Sequence, residues 1–404
     1  MRAALRILPH LPPLPEPDVL PFGLARLATE LFRGHPVQPL EAALIGRLRE
    51  RPLDAGALHD LATLIQLVGQ EARGLEVQAK ALTLSRMYRV AAPEGTQDPL
   101  RLLMFAVPGN FMANMPVEFL LADRPVQLDI VYLIPDWPFP DALPEHDAVL
   151  VGIAEGDATR GVMLELGVRL AVWPKPVLNH PRSISLTARD VLSEMLADID
   201  GVLAPPVRRL SRETLVEAGL RADAYPAVVR PCGSHAGQGL ARIDDAAGLG
   251  AYLDSRPEAQ FFVSPFIDYR SADGVFRKWR VSAVGDRFLP CHVAISSHWM
   301  VHYLNAGMAE SAEKRAEEAA SIAAFSEGFG RRHGPALEAI AKAVGLDYFS
   351  IDCAETADGR LVVFEAGTAM IVHQMEPPEI YPYRKPAIDA ICDGFVDLVR
   401  ARRG

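Results

Sequence analysis

The stretch from Tyr225 to Leu240, YPAVVRPCGSHAGQGL, constrains the fold of this chain more than any other. Its apolar start, residues 227–229, predicts a strand that ends at Arg230. Closely spaced glycines then let the backbone turn tightly and approach a ligand. Exposed N–H groups in such loops bind anions, and an arginine at the strand end suits phosphate. We predict a phosphate-binding loop, with an ordinary surface turn as the alternative. Its candidate binding residues are Arg230, Gly233, Ser234, His235, Gly237 and Gly239.

This loop is neither of the two common nucleotide-binding motifs. It lacks the lysine of G-x-x-x-x-G-K-[ST], and its glycines do not fit a strict G-x-G-x-x-G. Any nucleotide function therefore has to rest on the residues that follow it.

Composition narrows the class of protein. The 404 residues suffice for two or three domains, and the net charge is −10 from 41 basic and 51 acidic residues. No long basic run predicts a nucleic-acid partner, and no run of about 18 apolar residues predicts a membrane span. Four scattered cysteines without a C-x-x-C pair favour a reducing, cytoplasmic location. The Pro-interrupted start does not resemble a signal peptide, so none is expected.

The first 96 residues are predicted to be a helical region after a Pro-rich start. Apolar residues recur at helical spacing from Leu24 to about Val90. Residues 58–89 resemble a degenerate tetratricopeptide-type helix pair. Since roughly three such units are needed to stand alone, this region should dock on the rest of the chain or on a second subunit. A plain helical cap and a module that binds a protein partner remain equal alternatives.

Residues 97–180 predict a small open α/β domain. Three largely apolar runs, 102–107, 128–133 and 148–153, are typical of buried parallel strands and alternate with helical segments. Ligands of such sheets bind at the carboxyl ends of the strands. Asn110, which follows the first run, is therefore a candidate substrate contact.

A basic strand and two acidic residues complete the constellation. In FRKWRVSAV, residues 276–284, alternation places Lys278 and Arg280 on one face. Asp352 and Glu365 flank an Asp-Gly hairpin turn, so antiparallel pairing would bring both acids to one face, in a cleft that solvent reaches. Paired carboxylates can hold Mg²⁺, which commonly also binds nucleotide phosphates.

In this order of elements, the chain from about Asn179 onward resembles the ATP-grasp superfamily, in the branch of ribosomal-protein glutamate ligases and glutathione synthetases. The resemblance implies an ATP-grasp domain over 181–404, with α+β subdomains 181–263 and 264–404, preceded by an α/β pre-ATP-grasp domain. The fold class then combines α/β and α+β. The resemblance implies the following roles: Arg280 catalytic; Ser264, Phe266 and Ile267 in the adenine-binding hinge; Asp352 and Glu365 on the metal. Lys278, which shares a strand face with Arg280, is the second candidate catalytic residue.

The chain departs from that family at two informative positions. Arg230 stands where a lysine is usual, and Gly367 replaces the metal-binding asparagine of Glu-x-Asn. The resemblance implies ATP and Mg²⁺ as cofactors. The implied reaction is ligation of a carboxylate to an amine or thiol through an acyl-phosphate, on a small molecule or peptide. A nucleotide-binding regulatory or scaffold protein and an ATP-grasp phosphotransferase remain alternatives.

Several histidines and an asparagine are candidates for a substrate pocket. His298 and His302 are four residues apart but lack the glutamate of H-E-x-x-H, so a zinc protease is not expected. The candidate pocket residues are His298, His302, Asn305 and His373. A structural role for each is the alternative.

Overall fold

Three sheets and thirteen helices make up the part of the chain that the computed structural model describes, residues 16–234 and 237–403. His235 and most of the Pro-rich start lie outside the described residues. The fold is α/β in its first half and α+β in its second, as predicted. In the described part, no helix combines the length and apolar character that a membrane span requires.

The N-terminal region is a group of helices bracketed by two short strands. Its elements are β1 Asp18–Val19, α1 Leu24–Phe32, α2 Gln38–Glu50, α3 Ala55–Leu67, α4 Glu71–Leu84 and β2 Met87–Val90. The prediction that helix continues to Val90 was wrong. Residues 87–90 instead pair with β1 and with a later strand, and Tyr88 is fully buried there. Sheet pairing and burial outweigh a helical pattern this close to a helix end.

This region docks on the rest of the chain, one of the two arrangements predicted. Asp60 of α3 accepts a hydrogen bond from the Phe22 amide at 2.6 Å, just before α1. Glu118, from the α/β domain, accepts one from the Ala25 amide at 3.2 Å. Two carboxylates thus stabilise the amino end of one helix, where unpaired N–H groups favour negative charge.

The α/β domain is built on a six-stranded sheet in the order β1-β2-β4-β3-β5-β6. Its further elements are β3 Leu100–Ala106, α5 Glu118–Leu121, β4 Val126–Tyr132, β5 Ala148–Val151, α6 Arg160–Leu170 and β6 Val177–Leu178. Strands β3, β4 and β5 are parallel, as predicted, and β6, which was not predicted, pairs parallel to β5. Because β4 and β5 lie on either side of β3, the carboxyl end of β3 opens a crevice of the kind that binds ligands in such sheets.

A four-stranded antiparallel sheet, β10-β9-β11-β8, carries the glycine-rich loop between β9 and β10. The elements of this section are α7 Pro181–Ser185, α8 Arg189–Leu196, β7 Val202–Leu203, β8 Arg208–Ser211, α9 Arg212–Ala218, β9 Ala227–Pro231, β10 Ala241–Ile243, α10 Ala246–Asp254 and β11 Gln260–Pro265. β7 does not join this sheet but pairs with a strand near the end of the chain, Leu361–Gly367. We therefore propose that residues 181–207 group with the larger sheet described next.

The larger sheet has five strands in the order β13-β12-β14-β15-β7. Its elements are β12 Phe276–Val284, β13 Arg287–Ser296, α11 Ala312–Ala323, α12 Phe329–Val344, β14 Tyr348–Glu355, β15 Leu361–Gly367 and α13 Arg384–Arg402. The strands β12 to β15 are antiparallel neighbours. Trp279 and Val281 of β12 face the core, which confirms the predicted alternation of that strand.

Helix α12 begins six residues earlier than predicted. The sequence suggested a start at Pro335, but that proline lies inside a helix that begins at Phe329. The Phe329 ring stacks on Trp279 with centroids 4.5 Å apart, and both side chains are buried. This packing stabilises an amino-terminal turn that an interior proline would disfavour.

Candidate functional site

The predicted charged residues form one row across the larger sheet. Arg280 of β12 is the register partner of Asp352 in β14, and Asp352 is the partner of Glu365 in β15. His292 of β13 extends the row on the other side of Arg280. The hairpin pairing predicted for the two acids is thus confirmed. Irregularities of register follow both Arg280 and Asp352, and bulges of this kind redirect side chains beside functional sites.

Asp352 is held by two positive side chains. Arg280 Nε lies 2.7 Å from Oδ1 and its Nη2 lies 3.1 Å from Oδ2, while Lys278 Nζ lies 2.7 Å from Oδ2. Burial by itself would raise the pKa of Asp352, but the two cations outweigh it and hold that pKa well below its ordinary value. The side chain is only 1% exposed, so the expectation of a solvent-reached acid was wrong here. Asp352 positions the two cations and is itself shielded.

Glu365 has a partner that the sequence did not indicate. Arg189, the first residue of α8, donates a hydrogen bond from Nη2 to Glu365 Oε2. Burial raises the pKa of Glu365, but the charge of Arg189 outweighs this and leaves the pKa below its ordinary value. The only sequence signal for Arg189 is its place at the start of a helix, and its partner is 176 positions away.

Arg230 and the glycine-rich loop lie on the small sheet, close to this row. The Arg230 guanidinium donates hydrogen bonds to the Ser234 hydroxyl at 3.1 and 3.2 Å, which folds the loop back over the end of β9. Gly233, Gly237 and Gly239 all have left-handed backbone, with φ of 75°, 75° and 67°. Side-chain-bearing residues rarely adopt this conformation, so the glycines are required by the loop's shape.

Positive charge exceeds negative charge at this site. Arg189, Arg230, Lys278 and Arg280 face Asp352 and Glu365, and four cations against two acids leave an excess of two. Burial, followed by the nearby charge of Arg189, lowers the pKa of Arg230 to about 10. Arg230 therefore stays charged at neutral pH. A site with this excess suits a multiply charged anion such as a polyphosphate.

The predicted hinge connects the two antiparallel sheets. Ser264 lies on β11, and the Phe266 amide donates to the Pro226 carbonyl at 2.9 Å. The Phe266 ring packs against Trp299, with centroids 5.7 Å apart, and Ile267 packs against the core of the larger sheet. The adenine-binding role of this segment stays a prediction.

Of the five predicted substrate contacts, two lie near the row of charged residues and three lie elsewhere. Arg280 and Lys278 both act to lower the pKa of His302, after the larger effect of burial, so His302 lies near the row. Asn305 accepts a hydrogen bond from the His302 amide at 2.9 Å in a local cap. The other three lie elsewhere: His298 is exposed, His373 packs between Phe32 and Phe119, and Asn110 lies on the α/β domain. A substrate-contact role for each of these five residues stays a prediction.

A buried network behind β13 was not predicted. Glu318 accepts hydrogen bonds from Tyr303 and Tyr383 at 2.9 and 2.6 Å and from the Val293 amide at 3.1 Å. The Arg384 guanidinium lies 4.8 Å from the centre of the Tyr303 ring. The network holds Tyr303 in place, and the ring of His292 lies against the Tyr303 ring with centroids 4.7 Å apart. No local motif could have revealed it, because its members come from four separate segments.

A protein-held magnesium ion does not fit these residues well. Both oxygens of Asp352 are engaged by cations, and Glu365 is paired with Arg189. Within the described residues, no group of three or more His, Cys, Asp or Glu side chains is arranged to hold a metal. Gly367 has no side chain to contribute, although a Cβ added there would meet nothing within 4 Å. The row fits an anion better than a cation.

Comparison with known proteins gives only remote likenesses. No family model and no curated protein matches the sequence. The structure is similar to the RimK domain protein ATP-grasp from Sphaerobacter thermophilus DSM 20745, at 17% identity and a TM-score of 0.41, over 74% of this chain and 99% of that one. It is also similar to D-alanine–D-alanine ligases from Coxiella burnetii (13% identity, TM-score 0.46, 76% of this chain and 95% of that one) and, complexed with ATP, from Bacillus anthracis (15%, 0.44, 76% and 99%). All three TM-scores lie below 0.5, so the likeness is too remote to assign a function.

Proposed function

We propose that this protein binds ATP between its two antiparallel sheets and uses it to join a carboxylate to an amine or thiol. The observation that carries the proposal is the excess of positive charge at this site, where Arg189, Arg230 and Lys278 join the row, next to a glycine loop that Arg230 folds over the strand end. Polyphosphate is the ligand whose charge and backbone-binding requirements match both features.

The reaction follows from what these residues can hold. A substrate carboxylate oxygen attacks the terminal phosphorus of ATP, ADP leaves, and an acyl-phosphate forms. An amine or thiol then attacks the acyl carbon and displaces phosphate. Arg230 and the loop amides would orient the phosphates, while Arg280 and Lys278 would stabilise the charge that develops in transfer. Such chemistry needs positioning and charge neutralisation and no covalent nucleophile on the protein.

Magnesium enters this proposal only with the nucleotide. Mg²⁺ keeps several waters and is often bound through substrate phosphates with one or two carboxylates. Glu365, which is partly exposed, is the better remaining protein ligand, and Asp352 is assigned instead to holding Arg280 and Lys278. No step here depends on a metal held by both acids.

A second candidate is a nucleotide-binding protein without turnover. The shielding of Asp352 and the glycine at 367 favour it, since both remove ligands that the resembled family uses. In that case the helical N-terminus, which exposes Phe32, Leu53 and Val68, would be the surface for a protein partner or a second copy. We also propose that this region is tetratricopeptide-like. The domain boundaries predicted from sequence, and a small molecule or peptide as the substrate, are likewise proposals.

Nucleotide binding by Arg230→Met and Arg277→Met variants tests the proposal. Arg230 bonds only to Ser234 among the described residues, so its loss leaves no acid unpaired. We expect ATP binding to weaken by about 10- to 100-fold, since a hydrogen bond to a charged group contributes about 1.5–3 kcal/mol. Arg277 lies on β12 but pairs with Asp273 and Glu317, so its variant should bind ATP normally.

Turnover then separates the candidates. ADP release with a new amide or thioester from pools of acids, amines, thiols and peptides supports the ligase. Binding without ADP release supports the second candidate, and a stable phosphorylated product supports a phosphotransferase. Failure of the wild type to bind ATP at millimolar concentration, with magnesium present, would overturn the proposal as a whole.

A further inference from the structure

A cavity of about 70 Å³ lies between the N-terminal helices and the α/β sheet. Helices α3 and α4 cover it on one side, and the carboxyl ends of β3 and β4 form the other. The loop 109–111 is a partly exposed part of its lining and offers a path from solvent. We call it the helix–sheet cavity. It does not include any residue of the charged row, so it is a separate site.

The helix face that lines this cavity is polar although it is buried. His59, Thr63 and Gln66 follow one another at i, i+4 and i+7 on α3, and they are 7%, 7% and 6% exposed. Residues at this spacing share one side of a helix. A face that serves only to pack on a sheet would be apolar, because buried polar groups are costly unless they are hydrogen-bonded.

Two atoms of this face lack hydrogen-bond partners. His59 Nδ1 and Gln66 Oε1 are buried and unpaired among residues 16–234 and 237–403. The other ring nitrogen of His59 is fixed by the Tyr132 hydroxyl at 2.9 Å. Buried polar atoms are almost always satisfied in folded proteins, so two unpaired atoms beside one cavity point to something that occupies it.

The neighbouring amides do not explain these unpaired atoms. Gln78 uses its side-chain oxygen and nitrogen on the backbone of Gly109, at 2.9 and 3.0 Å. Asn114 does the same with Val107, at 2.8 Å for both bonds. These side chains stabilise the loop and have little capacity left for a ligand. The buried acceptors of the cavity that lack a partner are therefore those of α3, on His59 and Gln66.

The charged residues that line the cavity indicate the charge of the ligand that it would bind. Glu118 is the carboxylate that lines the cavity, and no lysine or arginine lines it in the part of the chain that the structure describes. Burial, which outweighs its backbone hydrogen bonds, raises the pKa of Glu118 to about 7. An anion would therefore meet an acid with no balancing cation, whereas a cation would relieve the burial of that acid. The rest of the wall includes Met104 and Ile130, which suit a short aliphatic group.

We propose that the helix–sheet cavity binds a small primary amine as its ammonium ion, with a short aliphatic body and no carboxylate. An ammonium has three N–H donors, and the cavity offers Gln66 Oε1, His59 Nδ1 and the Glu118 carboxylate as acceptors. His59 accepts when its proton resides on Nε2, directed at Tyr132. This site is independent of nucleotide binding and of the proposed ligase activity.

Binding of ethylammonium to the full-length protein tests this inference. Ethylammonium at about 50 mM should raise the melting temperature and give a saturable calorimetric signal, since a ligand that binds only the folded state stabilises it. Ethanol, its neutral analogue, and acetate, an anion of similar size, should do neither at that concentration. ATP binding, measured in the same samples, should not change.

Variants locate the ligand. Gln66→Leu removes one unpaired acceptor and should weaken ethylammonium binding by at least about tenfold. Gln38→Leu, on the exposed face of α2, should leave it unchanged. Thr63→Val, which removes a hydroxyl from the same wall of the cavity, is the second variant if Gln66→Leu does not fold. Three outcomes would each overturn the proposal. The first is no ethylammonium signal, which would mean that the cavity holds only water. The others are equal binding of ethanol or acetate, and undiminished ethylammonium binding by both α3 variants.

Discussion

Replacement of Asp352 by asparagine tests the central electrostatic feature of the structure. In the wild type its two oxygens receive three N–H donors from Arg280 and Lys278, at 2.7 to 3.1 Å. Asp352→Asn keeps the shape of the side chain but removes its charge. Two mostly buried cations then share a site without their counter-ion, and one N–H of the new amide points toward a positive group.

The structure sets the size of the expected effect. Removal of one partner from a buried ion pair costs about 3–5 kcal/mol, because the remaining charge is left uncompensated. We expect about 3 kcal/mol here, since Arg280 Nη1 keeps its hydrogen bond to the Ile371 carbonyl and Glu365 lies beside Asp352 in the sheet. An acid in a cleft that solvent reaches, as the sequence predicted, could be replaced at little cost in stability, whereas this buried and paired one cannot.

The effect should depend on pH in one direction. Arg280 and Lys278 outweigh burial and depress the pKa of Asp352 in the folded state. Its contribution to stability is then complete above its unfolded pKa, about 4, and decreases as the pH falls toward the folded value. The stability difference between wild type and Asp352→Asn should thus be full at pH 7 and narrow below about pH 4.

Hydrogen exchange of the β12 and β14 amides measures this locally, which avoids the assumption that the whole chain unfolds in one step. Asp273→Asn is the matched control, because Asp273 is an exposed acid that pairs with Arg277, another arginine of β12. It should change exchange of these strands little. If the free energy of opening of β12 and β14 in Asp352→Asn lies within about 0.5 kcal/mol of the wild-type value, Asp352 does not neutralise the two cations as argued.

Three glycine substitutions give further tests. Gly239→Ala should distort the loop and weaken ATP binding in a titration, since φ is 67° and the new Cβ would lie 2.7 Å from a proline ring; unchanged binding would contradict a role for the loop. Gly367→Asn should leave the melting temperature unchanged, because its Cβ meets nothing within 4 Å. If ADP release by this variant needs less Mg²⁺, a metal does reach this strand, and the conclusion that the row fits an anion better than a cation would be wrong. Gly74→Ala would place a Cβ 2.3 Å from Gln66 Cγ and should lower stability by about 1–3 kcal/mol in urea unfolding, whereas Gly46→Ala, with open space, should not; equal stability of the two would refute close packing of α3 on α4.

Local patterns determined much of the second half of the fold. The alternation in residues 276–284 predicted both the strand and its two faces, because successive side chains in a strand point in opposite directions. The Asp-Gly turn at 358–359 predicted the hairpin that sets Asp352 opposite Glu365. Patterns failed where long-range packing decided the outcome: β2 pairs in a sheet where helix was predicted, and α12 extends past a proline to stack Phe329.

The sequence by itself determined which residue types are available for an anion: a glycine-dense loop, a basic strand and two hairpin acids. It could not determine which of these charged side chains pair with one another. That depends on which side chains are brought together from distant segments, and only the tertiary structure places Arg189 on Glu365 and buries Asp352 between Lys278 and Arg280. Burial is a property of the assembled sheets, and it changes an acid that could hold a metal into one that holds two cations. The same holds for the polar face of α3, which becomes a cavity wall only when the helices close over the strand ends.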